Sequence, residues 1–139
     1  MEQIRNKELE TLLERAIALG WSYKIYRDAA GTHNGWHCDE RTYVKLRKYS
    51  LEGEDFSMNI DFDINNPVMS FVQNLKRHSD QFNIDEHVEK WMPQRGKGGC
   101  PDSVRTLLEN AEDIDGMIYG LWKNLSDGIG IKEKEEQEA

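Results

Sequence analysis

Phe56, Met58, Ile60 and Phe62 alternate with Ser57, Asn59, Asp61 and Asp63. Successive side chains of a β-strand point to opposite faces, so this period of two marks a half-buried strand over residues 56–63. No other stretch restricts the fold as tightly. A strand with one apolar and one polar face needs neighbours in an antiparallel sheet and a hydrophobic layer on one side only.

Two further strands are expected. Trp21, Tyr23 and Ile25 alternate with Ser22, Lys24 and Tyr26, giving a strand over residues 21–27. Another runs over residues 41–49, or from as early as Trp36. The short connection of residues 50–55 makes residues 41–49 and 56–63 a hairpin. Charge suggests a register with Tyr49 opposite Ser57, Arg47 opposite Asn59 and Lys45 opposite Asp61. Val44 and Leu46 then join Phe56, Met58 and Ile60 on the core side.

Helices surround these strands. Leu9, Leu12, Leu13, Ala16 and Ile17 recur at helical spacing, so residues 3–19 read as a helix stopped by Gly20. Asn66 caps a second helix with Pro67 at its first position, and Val68, Phe71, Val72 and Leu75 form its apolar stripe. Ile84, Val88 and Trp91 define a short helix ended by Pro93. From Pro101 or Asp102 a long helix carries Val104, Leu107, Ala111, Ile114, Ile118, Leu121 and Leu125, with Gly116 and Gly120 as points of bending or close packing. The expected fold is α+β: an N-terminal helix, a three-stranded antiparallel meander, then three or four helices on one sheet face. Residues 1–131 form one domain and residues 132–139 a charged, frayed tail.

Charge and composition narrow the function. The net charge is −8, and it is uneven. Residues 1–50 hold nine Lys/Arg against seven Asp/Glu, whereas residues 51–131 hold seven against fifteen. Such a surface argues against direct phosphate-backbone binding. The apolar runs are too short to span a membrane, and the charged start of the chain has no signal-peptide core. Two cysteines make no disulfide framework and suit a reducing cytoplasm.

Motifs for chemistry are weak. His33, His37 and Cys38 have ligand-like spacing, but Asn34-Gly35 breaks any helix that would align them, so a metal or small-ligand site there is an alternative only. The loop Gly96-Lys97-Gly98-Gly99 lacks the spacing of a phosphate-binding loop. Asp85, Glu86, His87 and Glu89 suggest acid–base chemistry only weakly, since on one helix Asp85 and Glu86 lie on faces other than that of His87, and Cys100 with His78 or His87 makes no supported nucleophile and base. No catalytic residue and no cofactor is expected. The remaining signal is acidic surface: Glu52, Glu54 and Asp55 at the hairpin tip, continuing into Asp61 and Asp63.

Three runs carry a resemblance. They are Tyr49-Ser50-Leu51-Glu52-Gly53-Glu54-Asp55-Phe56, Asp85-Glu86-His87-Val88-Glu89-Lys90-Trp91 and Gly99-Cys100-Pro101-Asp102-Ser103-Val104-Arg105. Over residues 43–125 the chain resembles a family of small acidic proteins of gut bacteria and their mobile elements. The resemblance implies an α+β domain and a mobile-element setting, and no activity. Cys100 stands where that family would have an aliphatic residue, which implies a small buried side chain.

The expectation is therefore a non-catalytic, cytoplasmic protein-binding domain. Its sharpest form is an acidic nucleic-acid mimic, of anti-restriction or anti-CRISPR type, that occupies a basic nucleic-acid enzyme through Glu52, Glu54, Asp55, Asp61 and Asp63. The alternatives are a small-ligand or metal-dependent protein around His33, His37 and Cys38, and a structural accessory that homodimerises through a sheet edge.

Overall fold

The computed structural model describes residues 2–33, 35–98 and 100–130, with the side chains of His33 and Cys38 outside that description. The expected tail at residues 132–139 also lies outside the described residues. Elements follow in the order β1 (Glu2–Gln3), α1 (Lys7–Ala18), β2 (Ser22–Asp28), β3 (Gly31–His33), β4 (Trp36–Cys38), β5 (Arg41–Tyr49), β6 (Asp55–Asp61), α2 (Pro67–Gln81), α3 (Ile84–Trp91) and α4 (Val104–Gly128). A short 3-10 turn, Met92–Gln94, extends α3 through Pro93. The fold is α+β, with four helices and an antiparallel sheet.

The main sheet has the order β1-β2-β5-β6, and β3 and β4 form a separate two-stranded ribbon. Two expectations are corrected by this. Gln3 does not begin the first helix, because residues 2–3 pair with Arg27 and Tyr26. Residues 31–38 fold on themselves after β2, and Trp36 belongs to that ribbon rather than to β5. The hairpin register is also corrected by two residues. Arg47 lies opposite Ser57, Lys45 opposite Asn59 and Tyr43 opposite Asp61. The opposite charges meet diagonally instead: Arg41 Nε donates to Asp61 at 2.8 Å, and Arg47 grips Asp55 through Nε and a second nitrogen. A two-residue shift leaves every side chain on its original face, so Val44, Leu46, Met58 and Ile60 remain in the core.

That core is shared by one sheet face and three helices. Leu9, Leu13 and Ala16 of α1, Phe71, Val72 and Leu75 of α2, and Ile114, Ile118, Leu121 and Leu125 of α4 bury against Ile25, Val44, Leu46 and Ile60. The helix starts are capped by short polar side chains. Asn6 Oδ1 accepts the Leu9 N–H, Asn83 Oδ1 accepts that of Glu86, and Ser103 Oγ accepts that of Thr106. Ser103, rather than Pro101 or Asp102, thus opens α4. Asn66 occupies the cap position of α2, but its side chain makes no capping bond. Gly116 and Gly120 face open space on α4 and serve no close packing. No described helix is long and apolar enough to cross a membrane.

Candidate functional site

The turn between β5 and β6 has the geometry of a three-residue hairpin loop. Gly53 N–H donates to Ser50 O at 3.0 Å, and Ser50 N–H donates to Glu54 O at 2.9 Å. Gly53 takes φ +90°, the left-handed position that follows a type I turn in such loops. This turn does not project freely. Leu51 N–H donates to Asp113 Oδ2 of α4 at 2.8 Å, which ties the tip to the helix.

Beneath it lies a closed polar network. Glu54 N–H donates to Ser50 Oγ at 3.0 Å, Ser50 Oγ donates to Asn110 Oδ1 at 2.5 Å, and Asn110 Nδ2 donates to Glu54 Oε1 at 2.7 Å. His87 of α3 donates from Nε2 to the same Glu54 oxygen at 2.9 Å. An ionised carboxylate only accepts, so Nε2 carries the proton in this bond. The His87 side chain is 9% exposed and that of Glu54 16% exposed. The His87 ring packs against Phe82 and Phe56, which fixes its plane.

The electrostatics of Glu54 follow from these contacts. Burial pushes its carboxyl up, but the hydrogen bonds from His87 and Asn110, with the nearby cations, outweigh that and hold it below the usual carboxylate range. It is therefore a partly buried group kept charged. Oε1 takes both bonds, and Oε2 has no hydrogen-bond partner among the described residues.

Glu54 stands in the wall of a cavity of about 390 Å³ between the hairpin tip, the 3-10 turn after α3 and the start of α4. Glu52, Asp55 and Asn110 supply further polar wall, and Trp91, Pro101 and Leu107 the apolar wall. Lys97 and Gly98, from the glycine-rich loop, also border it. The indole N–H of Trp91 is buried without an acceptor among the described residues. Cys100 is a half-buried free thiol whose Sγ lies 3.8 Å from the Trp91 carbonyl. The volume falls in the range of pockets that enclose small ligands or side chains, roughly 300 to 1,000 Å³.

The five carboxylates expected to form one acidic surface are distributed differently. Glu54 turns inward to His87 and Asn110, which corrects its assignment to the surface. Asp55 is held by Arg47 and Asp61 by Arg41, each exposed but ion-paired. Asp63 accepts the Asn65 N–H at 2.9 Å in the turn before α2. Glu52 is exposed at the cavity rim and enters no ion pair among the described residues. Of the weaker metal candidates, His37 is exposed and contacts Asp39 Oδ1 at 3.1 Å, while β3 and β4 pair Thr32 with His37. Among the described residues, no three His, Cys, Asp or Glu side chains are grouped to hold a metal ion.

Sequence reasoning missed Ser50, His87, Asn110 and Trp91 as a group. One signal was available: Asn110 interrupts the apolar stripe of α4 beside Leu107 and Ala111, and it is 2% exposed. A buried amide there needs partners from elsewhere in the chain. No family model matches the chain, and no curated protein or solved structure shows significant similarity to it.

Proposed function

We propose that the chain is a non-catalytic protein-binding domain whose cavity at the β5–β6 tip receives a lysine or arginine side chain from a partner protein. The reading rests on one observation. Glu54 is kept ionised in the wall of a cavity, with one oxygen fixed by His87 and Asn110 and the other left without a partner among the described residues. A charge retained under partial burial needs compensation, and a cationic guest supplies it. Trp91 and Leu107 offer apolar surface to the guest's aliphatic stem, and Glu52 adds charge at the rim.

This keeps the expected partner class, a basic protein such as a nucleic-acid enzyme, and replaces a broad mimic surface with a specific socket. Four of the five proposed carboxylates, Glu54, Asp55, Asp61 and Asp63, are engaged within the chain, which leaves little free acidic area for mimicry. A free thiol at Cys100 suits the cytoplasmic setting proposed for it.

The test is titration with short peptides carrying a single central arginine or lysine, alongside free arginine and an alanine control, read by calorimetry. The arginine or lysine peptide should bind, weaken with salt, and lose most affinity in Glu54→Gln and Trp91→Ala. Binding of the alanine peptide with equal affinity would sink the reading. Equal binding of free arginine would instead assign a small-molecule pocket.

A further inference from the structure

The open sheet face carries local charge opposite to that of the chain. Across β2, β5 and β6, the register places Ser22 beside Arg47 and Ser57, and Lys24 beside Lys45 and Asn59. Six adjoining positions thus hold three cations, two hydroxyls and an amide, without a carboxylate, in a chain of net charge −8. Asp55 and Asp61, at the borders of this block, are paired with Arg47 and Arg41.

Lys24 and Lys45 are direct cross-strand partners. Both are exposed, and neither forms an ion pair among the described residues. Like charges in directly opposed positions destabilise a sheet, so the arrangement favours an anion placed between the two ammonium groups. A shallow depression of about 120 Å³ lies there, bordered by Ser22, Lys24, Tyr26, Lys45 and Arg47. That is well below the roughly 300 Å³ of a pocket that encloses a whole small ligand. It fits one anionic group of a ligand that otherwise lies along the surface.

Aromatic side chains stand at both ends of the cationic rows. Tyr49, two residues beyond Arg47 on the same face, is 62% exposed. Tyr26 lies at the other end, tilted against Tyr43 at 5.5 Å between ring centroids. A cationic track flanked by aromatic faces on an open antiparallel sheet is the arrangement by which proteins hold unpaired nucleotides. We propose that this face binds single-stranded nucleic acid, with a phosphate seated between Lys24 and Lys45 and a base stacked on Tyr49. The negative total charge obscured this, because the carboxylates of α3 and α4 are sorted to other surfaces. The proposal is independent of the cavity reading.

The test is fluorescence anisotropy of a short labelled oligothymidylate titrated with the protein over a range of salt. One phosphate neutralised on a single strand gives a log–log salt slope of about −0.7. Lys24→Glu and Lys45→Glu should each abolish binding, and Tyr49→Ala should weaken it by about fivefold or more, as loss of one base stack does. Thermal unfolding of Lys45→Glu checks its fold independently, since that change removes a repulsion. No binding at low salt, or unchanged binding in both lysine variants, overturns the proposal. Competition by polyglutamate as effective as by unlabelled oligonucleotide also overturns it and assigns the face to acidic protein segments.

Discussion

Glu54 and His87 meet side chain to side chain at 2.9 Å although 33 positions separate them in the chain. The contact joins the β5–β6 turn to α3, and Asn110 joins the same carboxylate to α4. One carboxylate oxygen therefore links the turn to both helices. Its surroundings decide both how rigid the cavity is and whether a charge persists there.

Asn110→Ala removes the donor to Glu54 and the acceptor of Ser50 Oγ together. Leaving buried polar groups unpaired costs about 1–3 kcal/mol, and urea unfolding should show a loss in that range. The same variant should loosen the turn, which hydrogen exchange at Leu51 and Glu54 would read as faster exchange.

The pH dependence has a definite sign. Glu54 sits below its ordinary value of 4.5 in the folded chain, so its charged form contributes stability that is fully present above that value. The contribution is lost as pH falls through the folded value. Glu10 beside Arg5 and Asp55 beside Arg47 are lowered too and act in the same direction. Comparing wild type with Glu54→Gln isolates the one group: their stability difference should stay flat at neutral pH and narrow as pH falls below 4.5. A difference that widens on acidification would contradict the assignment.

Lys45→Glu converts a repelling cross-strand pair into an attracting one with Lys24. The expected gain is about 0.2–1 kcal/mol, measured by thermal or urea unfolding at low salt and reduced by added salt. A more stable protein with weaker anion binding would separate structure from function at this position.

Glycine substitutions should divide by location. Gly116→Ala and Gly120→Ala, at helical positions where an added Cβ meets nothing within 4 Å, should each stabilise by about 0.4–1 kcal/mol. Gly53→Ala forces a left-handed conformation on a residue with a Cβ and should cost about 1–2 kcal/mol. Gly128→Ala would place a Cβ 2.7 Å from the Arg15 side chain, which would have to move. Unfolding curves for the four variants check the order.

The parts of the fold visible in sequence were those with strong periodicity. The alternation at residues 56–62 and the stripe from Leu107 to Leu125 each fix a buried face, and both elements form with those faces inward. Register was not visible, because the charges that set it pair diagonally, Arg41 with Asp61 and Arg47 with Asp55, rather than straight across. The β3–β4 ribbon is not legible in sequence, since Gly31 and Asn34-Gly35 are turn residues whether or not strands flank them. The site was the least legible part. Ser50, Glu54, His87 and Asn110 come from a turn and two helices, and nothing local marks residues that meet only after the chain has folded. Total charge misled in a similar way, because it says how many carboxylates exist and not which arginines they face.

The hydrogen bonds from Ser50 to Asn110 and from Leu51 to Asp113 span 60 and 62 residues of chain. Contacts of such long range close late, after local helices and hairpins have formed. During synthesis the β5–β6 hairpin emerges well before the helix that anchors it, and at that stage Glu54 is an ordinary solvated carboxylate. The cavity wall at the β5–β6 tip is thus complete only in molecules whose α4 has docked against the turn.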